Sequence, residues 1–263
     1  MTGKCERAAR YPNDRTPAVI RLYRTFRLLL TLVSGVALVA MLFPLHSPAR
    51  RKLAIGRWSA RVLAALNIET RIRGALPDVR RPAVLIANHV SWLDIQLIHA
   101  VWQVRFVAKS EVRRWPVIGW LAARSGTLFI QRGRSRHAAR INRAIHVVFE
   151  AGDAIGIFPE GTTSDGTQVN RFHASLLQPA IDEKALIFPV AVRYLDRHKR
   201  ININASYVGD TSLLDSMRTI LAEPKIVAEL IFLPAIDTEG KSRRDLAAET
   251  RAAIVAALDF PAP

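Results

Sequence analysis

The segment AVLIANHVSWLDIQLIHAV, residues 83–101, decides the fold class. Residues 83–87 are a short apolar run that predicts a buried β-strand, and residues 93–101 carry apolar side chains at helical spacing. The polar residues between these two elements would lie in the loop at the end of the strand. A strand that leads directly into a helix is the building unit of α/β proteins.

The same alternation continues toward the C-terminus. Further strands are predicted at residues 104–108, 127–130, 154–158, 186–192, 201–207 and 225–232. Further helices are predicted at residues 117–123, 136–150, 174–181, 213–221 and 243–258, and Ser242 and Asp245 have capping-box spacing at the start of the last one. The pattern predicts an α/β fold with a mostly parallel or mixed sheet flanked by helices. In such sheets, ligands bind beyond the carboxyl ends of the strands.

The N-terminal third of the chain indicates a membrane surface. Residues 28–43 form an apolar run that would extend about 24 Å as a helix, short of the roughly 30 Å hydrocarbon core of a bilayer. Because basic residues flank this run on both sides, the charge asymmetry typical of a full crossing is missing. We therefore expect a helix that enters the cytoplasmic leaflet without crossing the bilayer fully.

A second, basic amphipathic helix is predicted at residues 50–68. Its apolar residues recur at helical spacing, with arginines between them: Leu53, Trp58, Val62 and Leu66, with Arg57 and Arg61. Such a helix suits the headgroup layer of a membrane, and a soluble hairpin packed on the main domain is the alternative. The predicted organisation is a basic tail (residues 1–25), a membrane-associated helical pair (26–70) and an α/β domain (71–263).

The composition indicates an acidic partner. The formal charge is +16, from 38 Lys and Arg against 22 Asp and Glu, which favours anionic lipid, an acidic carrier protein or nucleic acid. Since no nucleic-acid-binding module or zinc-ligand spacing is present, neither nucleic acid nor a metal is predicted. The single cysteine, Cys5, excludes a disulfide within the chain and fits a reducing compartment.

Two polar segments follow predicted strands and could carry chemistry. In the first, Asp94 lies five residues after His89, inside a new helical turn, so that its carboxylate could hold one imidazole nitrogen and leave the other to accept a proton. Taken alone, Ser91 and Asp94 also fit a helix capping box. The second, FPEGTTSDG at residues 158–166, is a loop of small and polar residues that could hold a headgroup or phosphate, or form an ordinary turn.

Together these segments resemble the glycerolipid acyltransferase family, typified by bacterial 1-acyl-sn-glycerol-3-phosphate (lysophosphatidate) acyltransferase. Four blocks match in order over roughly residues 83–192. The first is the His-x4-Asp block formed by His89 and Asp94, the third is FPEGT at residues 158–162, and the fourth is FPV at residues 188–190. The second block contains Lys109, Pro116, Gly119, Gly126, Phe129, Ile130 and Arg132.

The resemblance implies a role for each matching position. His89 would be the general base that acts on the acceptor hydroxyl, Asp94 would orient it, and the hydroxyl would attack the thioester without an acyl-enzyme. Arg132 and Lys109 would hold an anionic headgroup, and Glu160 and Gly161 would shape the acceptor pocket. The implied substrate-binding residues are Lys109, Arg132, Glu160, Gly161, Thr162 and Thr163.

The implied protein is a membrane enzyme of phospholipid biosynthesis at the cytoplasmic face of the inner membrane. It would move a fatty acyl group from acyl-carrier protein or acyl-CoA, which are substrates rather than cofactors, to a lysolipid. The acceptor that the resemblance favours is 1-acyl-sn-glycerol-3-phosphate, whose acylation would give phosphatidate. Thr163 departs from the pattern, because family members that act on lysophosphatidate often carry arginine there. Lyso-ornithine lipid, whose headgroup has no phosphate, is therefore the alternative acceptor.

Other classes of protein lack support in the sequence. A serine hydrolase would need a nucleophile, and there is no Gly-x-Ser-x-Gly elbow. The phosphate-binding loop of nucleotide hydrolases is also absent. A non-enzymatic membrane scaffold remains the alternative from a different class, and it predicts that replacing His89 leaves function intact.

Overall fold

The computed structural model describes residues 16–79, 81–130 and 135–259, and for residues 135–142 it describes only the backbone. Within this part of the chain the strands form one sheet of eight, in the order β1-β7-β6-β2-β5-β3-β4, with β8 paired to β6. The strands are β1 Ile68–Arg73, β2 Ala83–Ala87, β3 Val104–Lys109, β4 Leu128–Ile130, β5 Ala154–Ile157, β6 Leu186–Leu195, β7 Ile226–Phe232 and β8 Ile236–Asp237. Only the β6–β7 and β6–β8 pairings among these are antiparallel, which confirms the predicted mixed sheet.

Helices flank the sheet on both faces, as predicted. They are α1 Ala18–Ala37, α2 Pro48–Ala65, α3 Leu93–Val101, α4 Ile118–Arg124, α5 Ser135–Glu150, α6 Gln178–Asp182, α7 Leu213–Ala222 and α8 Arg243–Leu258. Short 3₁₀ segments lie at Ser110–Arg114, Ala174–Leu177 and Ile203–Ala205. The predicted capping box of α8 is present, since Ser242 and Asp245 each accept a hydrogen bond from the other's backbone N–H.

Two hydrophobic cores lie on opposite faces of the sheet. Successive residues of β2 point to opposite faces, so Leu85 joins the core that includes α3, whereas Val84 and Ile86 join the core that includes α8. All five residues of β2 are buried, as expected for a central strand with helices on both faces. The carboxyl end of this strand is therefore held rigidly from both sides.

The N-terminal helix is longer than the apolar run from which it was predicted. Helical backbone continues from α1 through a π-helical turn at Leu38–Leu42 to a 3₁₀ turn at Phe43–Leu45. The resulting 28-residue segment, Ala18–Leu45, is long and apolar enough to cross a membrane by length and composition, with 22% of its most apolar window buried in the protein. At 1.5 Å per residue it extends about 42 Å, because helix forms through the arginine-bearing turns that the apolar run left out.

The N-terminal helical pair packs against the main domain. Leu28 of α1 and Val62 of α2 are buried in the same core as α3. Many other apolar residues of α1 stay exposed, among them Val19, Leu22 and Val33, which are 78%, 72% and 66% exposed. A helix of a soluble hairpin would bury this surface, so the exposure favours a membrane-associated pair.

Two strands of the structure differ from the prediction for physical reasons. The predicted strand at residues 201–207 is only a single bridge between Ile201 and Leu195, followed by a 3₁₀ turn in which the Asn202 side chain accepts from the Asn204 backbone. β1 was missed because charged residues alternate along this partly exposed strand. The predicted domain boundary at residues 70/71 falls inside β1, and the helix before it ends at Ala65, with Asn67 at a positive φ of 59°.

Candidate active site

The two predicted polar segments meet at one edge of the sheet. β2 lies next to β5, and β5 lies next to β3, with parallel pairing in both cases. The carboxyl ends of these strands therefore face the same side. His89 follows β2, the loop of residues 158–166 follows β5, and Lys109 ends β3.

His89 and Asp94 form a hydrogen-bonded pair. The distance from His89 Nδ1 to Asp94 Oδ2 is 2.7 Å, and the Asp94 side chain is fully buried in the first turn of α3. Within the described residues, His89 Nε2 has no hydrogen-bond partner, and the ring lines a cavity. An imidazole held through Nδ1 by a carboxylate can accept a proton at Nε2.

Further donors fix the position of the Asp94 carboxylate. Its Oδ2 also accepts from the backbone N–H of Val90 and of Ser91, at 2.8 and 3.0 Å, while Oδ1 accepts from the Tyr194 hydroxyl at 2.6 Å. The reciprocal half of a capping box is missing, because the buried Ser91 hydroxyl has no partner among the described residues. Asp94 therefore caps the helix backbone and orients His89 with the same oxygen.

The His89 ring is also held by stacking. It lies parallel to the Phe158 ring, with centroids 4.0 Å apart and planes 11° apart, and Phe158 stacks on Phe106 at 5.3 Å. Rotation of the imidazole about its hydrogen bond to Asp94 would lose this contact. Three neighbouring strands thus contribute to the orientation of one ring.

Glu160 contacts the backbone of the loop that carries His89. Its Oε1 accepts from the His89 backbone N–H at 2.7 Å, and its Oε2 accepts from the Asn170 backbone N–H at 2.8 Å. The side chain is buried, and burial raises the pKa of the Glu160 carboxyl. Because both oxygens accept from backbone N–H groups, the Glu160 carboxylate holds the His89 loop, and its predicted role in shaping the acceptor pocket stays a prediction.

The other predicted substrate-binding residues that the structure describes all line the cavity. The cavity has a volume of about 470 Å³ and a mostly apolar lining contributed by α1, α2, α3 and α4. Lys109, Gly161, Thr162 and Thr163 line it together with His89. The Thr163 hydroxyl donates to the Tyr207 carbonyl. Arg132 lies outside the described residues.

Tyr194 is a site residue that the sequence reasoning missed. Its hydroxyl is buried against Asp94, and burial raises the pKa of the Tyr194 phenol well above its ordinary value, so it stays protonated as a donor. The sequence pattern that could have identified it is the alternation of side chains along β6, which puts Tyr194 on the same face as Val190 and Val192. That face packs against the core containing α3.

We expect Tyr194→Phe to lower turnover about tenfold, because Asp94 Oδ1 loses its donor while the ring still fills the core. The loss should fall on kcat with KM unchanged, because Tyr194 contacts Asp94 and does not line the cavity. A loss of stability with an unchanged kcat would instead make Tyr194 a packing residue only. The measurement is kcat and KM for both proteins, with thermal unfolding recorded beside it.

His99 of α3 is buried in the cavity wall, where its Nε2 donates to the Val104 carbonyl at 3.0 Å. Burial lowers the pKa of His99 to about 4. The unfolded chain binds this proton from about pH 6.5 downward, so the stabilisation is complete above that pH and is lost toward pH 4. A shift of this size corresponds to about 3 kcal/mol.

We expect His99→Gln to reduce this loss of stability on acidification. The measurement is the thermal midpoint in detergent at pH 7 and at pH 4.5, for the wild type and the variant. His146→Gln is the matched control, because His146 is exposed and far from the cavity lining. An equal fall in midpoint for the wild type and His99→Gln would show that His99 does not titrate on unfolding.

Comparison with known proteins agrees with this geometry. The family model described as Acyltransferase matches residues 67–193. The chain is 37% identical to the lyso-ornithine lipid O-acyltransferase of Pseudomonas aeruginosa, covering 81% of this chain and 80% of that protein. It is 35% identical to the 1-acyl-sn-glycerol-3-phosphate acyltransferase of Neisseria meningitidis, covering 80% and 83%.

A solved structure shares the fold. The chain superimposes on the 1-acyl-sn-glycerophosphate acyltransferase PlsC of Thermotoga maritima with a TM-score of 0.67 at 20% identity. The match covers 92% of this chain and 94% of the other.

Proposed function

The chain belongs to the acyltransferase family, and on this premise we propose that His89 and Asp94 transfer a fatty acyl group from a thioester to the free hydroxyl of a lysolipid. The observation that carries the proposal is the His89–Asp94 hydrogen bond at the wall of an apolar cavity. A polar reacting group beside an apolar chamber matches a substrate with one hydroxyl and a long acyl chain.

The proposed reaction is a direct transfer of the acyl group from donor to acceptor. His89 Nε2 takes the proton of the acceptor hydroxyl as its oxygen attacks the thioester carbon, which gives a tetrahedral intermediate. Asp94 stabilises the imidazolium that forms. Collapse breaks the carbon–sulfur bond, and the departing thiolate takes the proton from His89. The products are a new ester and a free thiol, and the protein returns to its starting state.

The first acceptor that we propose is 1-acyl-sn-glycerol-3-phosphate, which would yield phosphatidate. Lys109 lines the cavity and supplies a cation for the phosphate, and the Neisseria meningitidis relative is named for this reaction. Arg132, from the second matching block, would add a second cation. 1-Acyl-sn-glycerol-3-phosphate has one free hydroxyl on its glycerol, next to the acyl ester. That hydroxyl is the group that His89 would deprotonate.

Lyso-ornithine lipid is the second candidate acceptor, and Thr163 favours it. The Thr163 hydroxyl is already engaged with the Tyr207 carbonyl and brings no charge. Among the described residues of the cavity lining, Lys109 is the one Lys or Arg side chain. One cation suits a headgroup carboxylate better than a phosphate dianion. The Pseudomonas aeruginosa and Brucella abortus relatives are named for this acceptor.

Acyl-carrier protein and acyl-CoA are both proposed as acyl donors. The chain's charge of +16 would attract either acidic donor. We also propose that the protein works at the cytoplasmic face of the inner membrane. The exposed apolar surface of α1 supports membrane association, and the cytoplasm supplies thioester donors. Recovery of the intact chain in the soluble fraction at low salt would count against this location.

The test of the function is an acceptor screen. Purified protein in detergent receives an acyl thioester and one of the two lysolipids, and thiol release is followed together with the acylated product. The proposal expects release that depends on a lysolipid and matches product one to one. Release without any acceptor would indicate a thioesterase, and no release with any lysolipid would favour a scaffold.

A substitution at Thr163 should change the choice of acceptor. We expect Thr163→Arg to raise the ratio of lysophosphatidate to lyso-ornithine lipid turnover about tenfold, because a guanidinium binds phosphate through paired charged hydrogen bonds. Thr163→Val is the matched control, since it removes the bond to Tyr207 without adding charge. An equal ratio in the wild type and Thr163→Arg would show that this position does not contact the headgroup.

A further inference from the structure

The residues after the 3₁₀ segment Ser110–Arg114, together with the first turn of α4, form an exposed apolar tip. Its members are Trp115, Val117, Ile118 and Trp120, which are 42%, 56%, 37% and 37% exposed. Two tryptophans and two branched aliphatic residues on one short hairpin are unusual for a surface that faces water. The same composition is typical of segments that lie at a membrane interface.

The backbone presents Val117 at the end of this tip. The Ile118 N–H donates to the Pro116 carbonyl at 2.6 Å, and Val117 has φ 61° and ψ −55°. This tight three-residue turn is rare, and a β-branched residue seldom adopts it. Gly119 holds the turn closed, because a Cβ there would come within 2.3 Å of the Arg113 carbonyl oxygen. Strain of this kind persists where the fold imposes it.

The tip is continuous with the cavity. Two of its members, Trp115 and Ile118, line the same cavity as His89, together with Val112 of the preceding 3₁₀ segment. α1 lines that cavity too, through Leu32 and Gly35. The two exposed apolar surfaces, α1 and the tip, therefore both belong to elements that wall the cavity.

Arginines surround the tip. Arg113, Arg114 and Arg124 are exposed, and none of them forms an ion pair within the described part of the chain. The Arg124 guanidinium lies over the Trp120 ring at 6.0 Å, and the Arg113 guanidinium lies over the Phe129 ring at 5.7 Å. Basic residues near an anionic leaflet strengthen membrane binding. The charge complements lipid phosphates around an inserted apolar tip.

We propose that this tip is a second membrane contact, which inserts between the headgroups of an anionic leaflet and opens the cavity to lipid. α1 anchors the protein, and the tip sets the orientation in which a lysolipid enters the cavity directly from the leaflet. The proposal rests on the proposed function, because it concerns how the acceptor reaches His89. The occupant is a lipid surface, and an acidic carrier protein on the same surface is an outcome that the test would reveal.

The test compares two forms of one acceptor with the full chain. One is a long-chain lysolipid embedded in vesicles of phosphatidylcholine and phosphatidylglycerol, and the other is a short-chain lysolipid dissolved as monomers. The variants are Val117→Asp and Trp120→Ala, neither of which lines the cavity. The matched control is Val147→Asp, on the exposed side of α5, where Val147 is 55% exposed.

We expect both tip variants to lose about tenfold or more of the vesicle rate and to keep the rate on monomeric acceptor, with acyl-CoA as donor. Val147→Asp should keep both rates. Equal loss on both acceptors, or no loss on vesicles, would overturn the proposal. Loss that occurs only with acyl-carrier protein as donor would also overturn it, since the tip would then dock that protein. If the wild type acylates neither acceptor, the proposed function itself fails.

Discussion

His89→Ala is expected to lower acyl transfer by at least about 10²–10⁴-fold, the contribution of a positioned general base. The acceptor alcohol would then attack without losing its proton to the protein. Acceptor binding should change little, because Lys109 and the loop of residues 161–163 still line the cavity. The measurements are turnover by thiol release and acceptor affinity in the same detergent.

Two controls separate chemistry from folding in this experiment. His146→Ala removes an exposed imidazole that pairs with Glu183 on the surface, and it should transfer at the wild-type rate. The thermal midpoint of His89→Ala should stay close to that of the wild type, because the ring is partly exposed at the cavity wall. A scaffold protein would show the same function with and without His89, and that result would reject the mechanism.

Asp94→Asn is the second change with a large expected effect. The amide oxygen can still accept from the Val90 and Ser91 N–H groups and from the His89 ring, but a neutral amide cannot stabilise an imidazolium, and its NH₂ meets the Tyr194 hydroxyl. We expect about 10²–10⁴-fold loss of turnover with smaller loss of stability. Asp94→Ala should unfold more readily, because it leaves those N–H groups and the Tyr194 hydroxyl buried without an acceptor.

The double variant decides whether Asp94 acts through His89. Since the carboxylate contributes by orienting and charging that ring, His89→Ala/Asp94→Asn should be no slower than His89→Ala alone. Losses that multiply would mean that Asp94 acts on the substrate independently. Turnover of the wild type, both single variants and the double variant gives the comparison.

Periodicity predicted most of the α/β domain because its strands and helices carry strong local patterns. β2 is a continuous apolar run and α8 opens with a capping box, so both were found with the correct bounds. β1 was missed because its position depends on pairing with β7, which is distant in sequence. The charged residues on its exposed side give β1 a sequence pattern like that of a loop, and only its pairing with β7 identifies it as a strand. The length of α1 was underestimated because arginines interrupt the apolar run at its start.

The site was predictable where neighbours in sequence become neighbours in space. His89 and Asp94 are five residues apart, and the short loop before α3 joins them. Tyr194 reaches the same carboxylate from β6, and Phe158 reaches the His89 ring from the end of β5. Those contacts depend on strand order, which no local pattern reveals. Glu160 was predicted as a site residue, but only the fold shows that its carboxylate contacts backbone.

The most direct test of His89 as the proton acceptor is rescue of His89→Ala by added imidazole in the thiol-release assay. Removal of the ring leaves a space beside Phe158 that opens to the cavity. The account predicts acceptor-dependent release that rises with imidazole and follows the concentration of its neutral form as pH changes. His89→Ala that turns over at the wild-type rate without imidazole, or imidazole that stimulates His146→Ala equally, would contradict it.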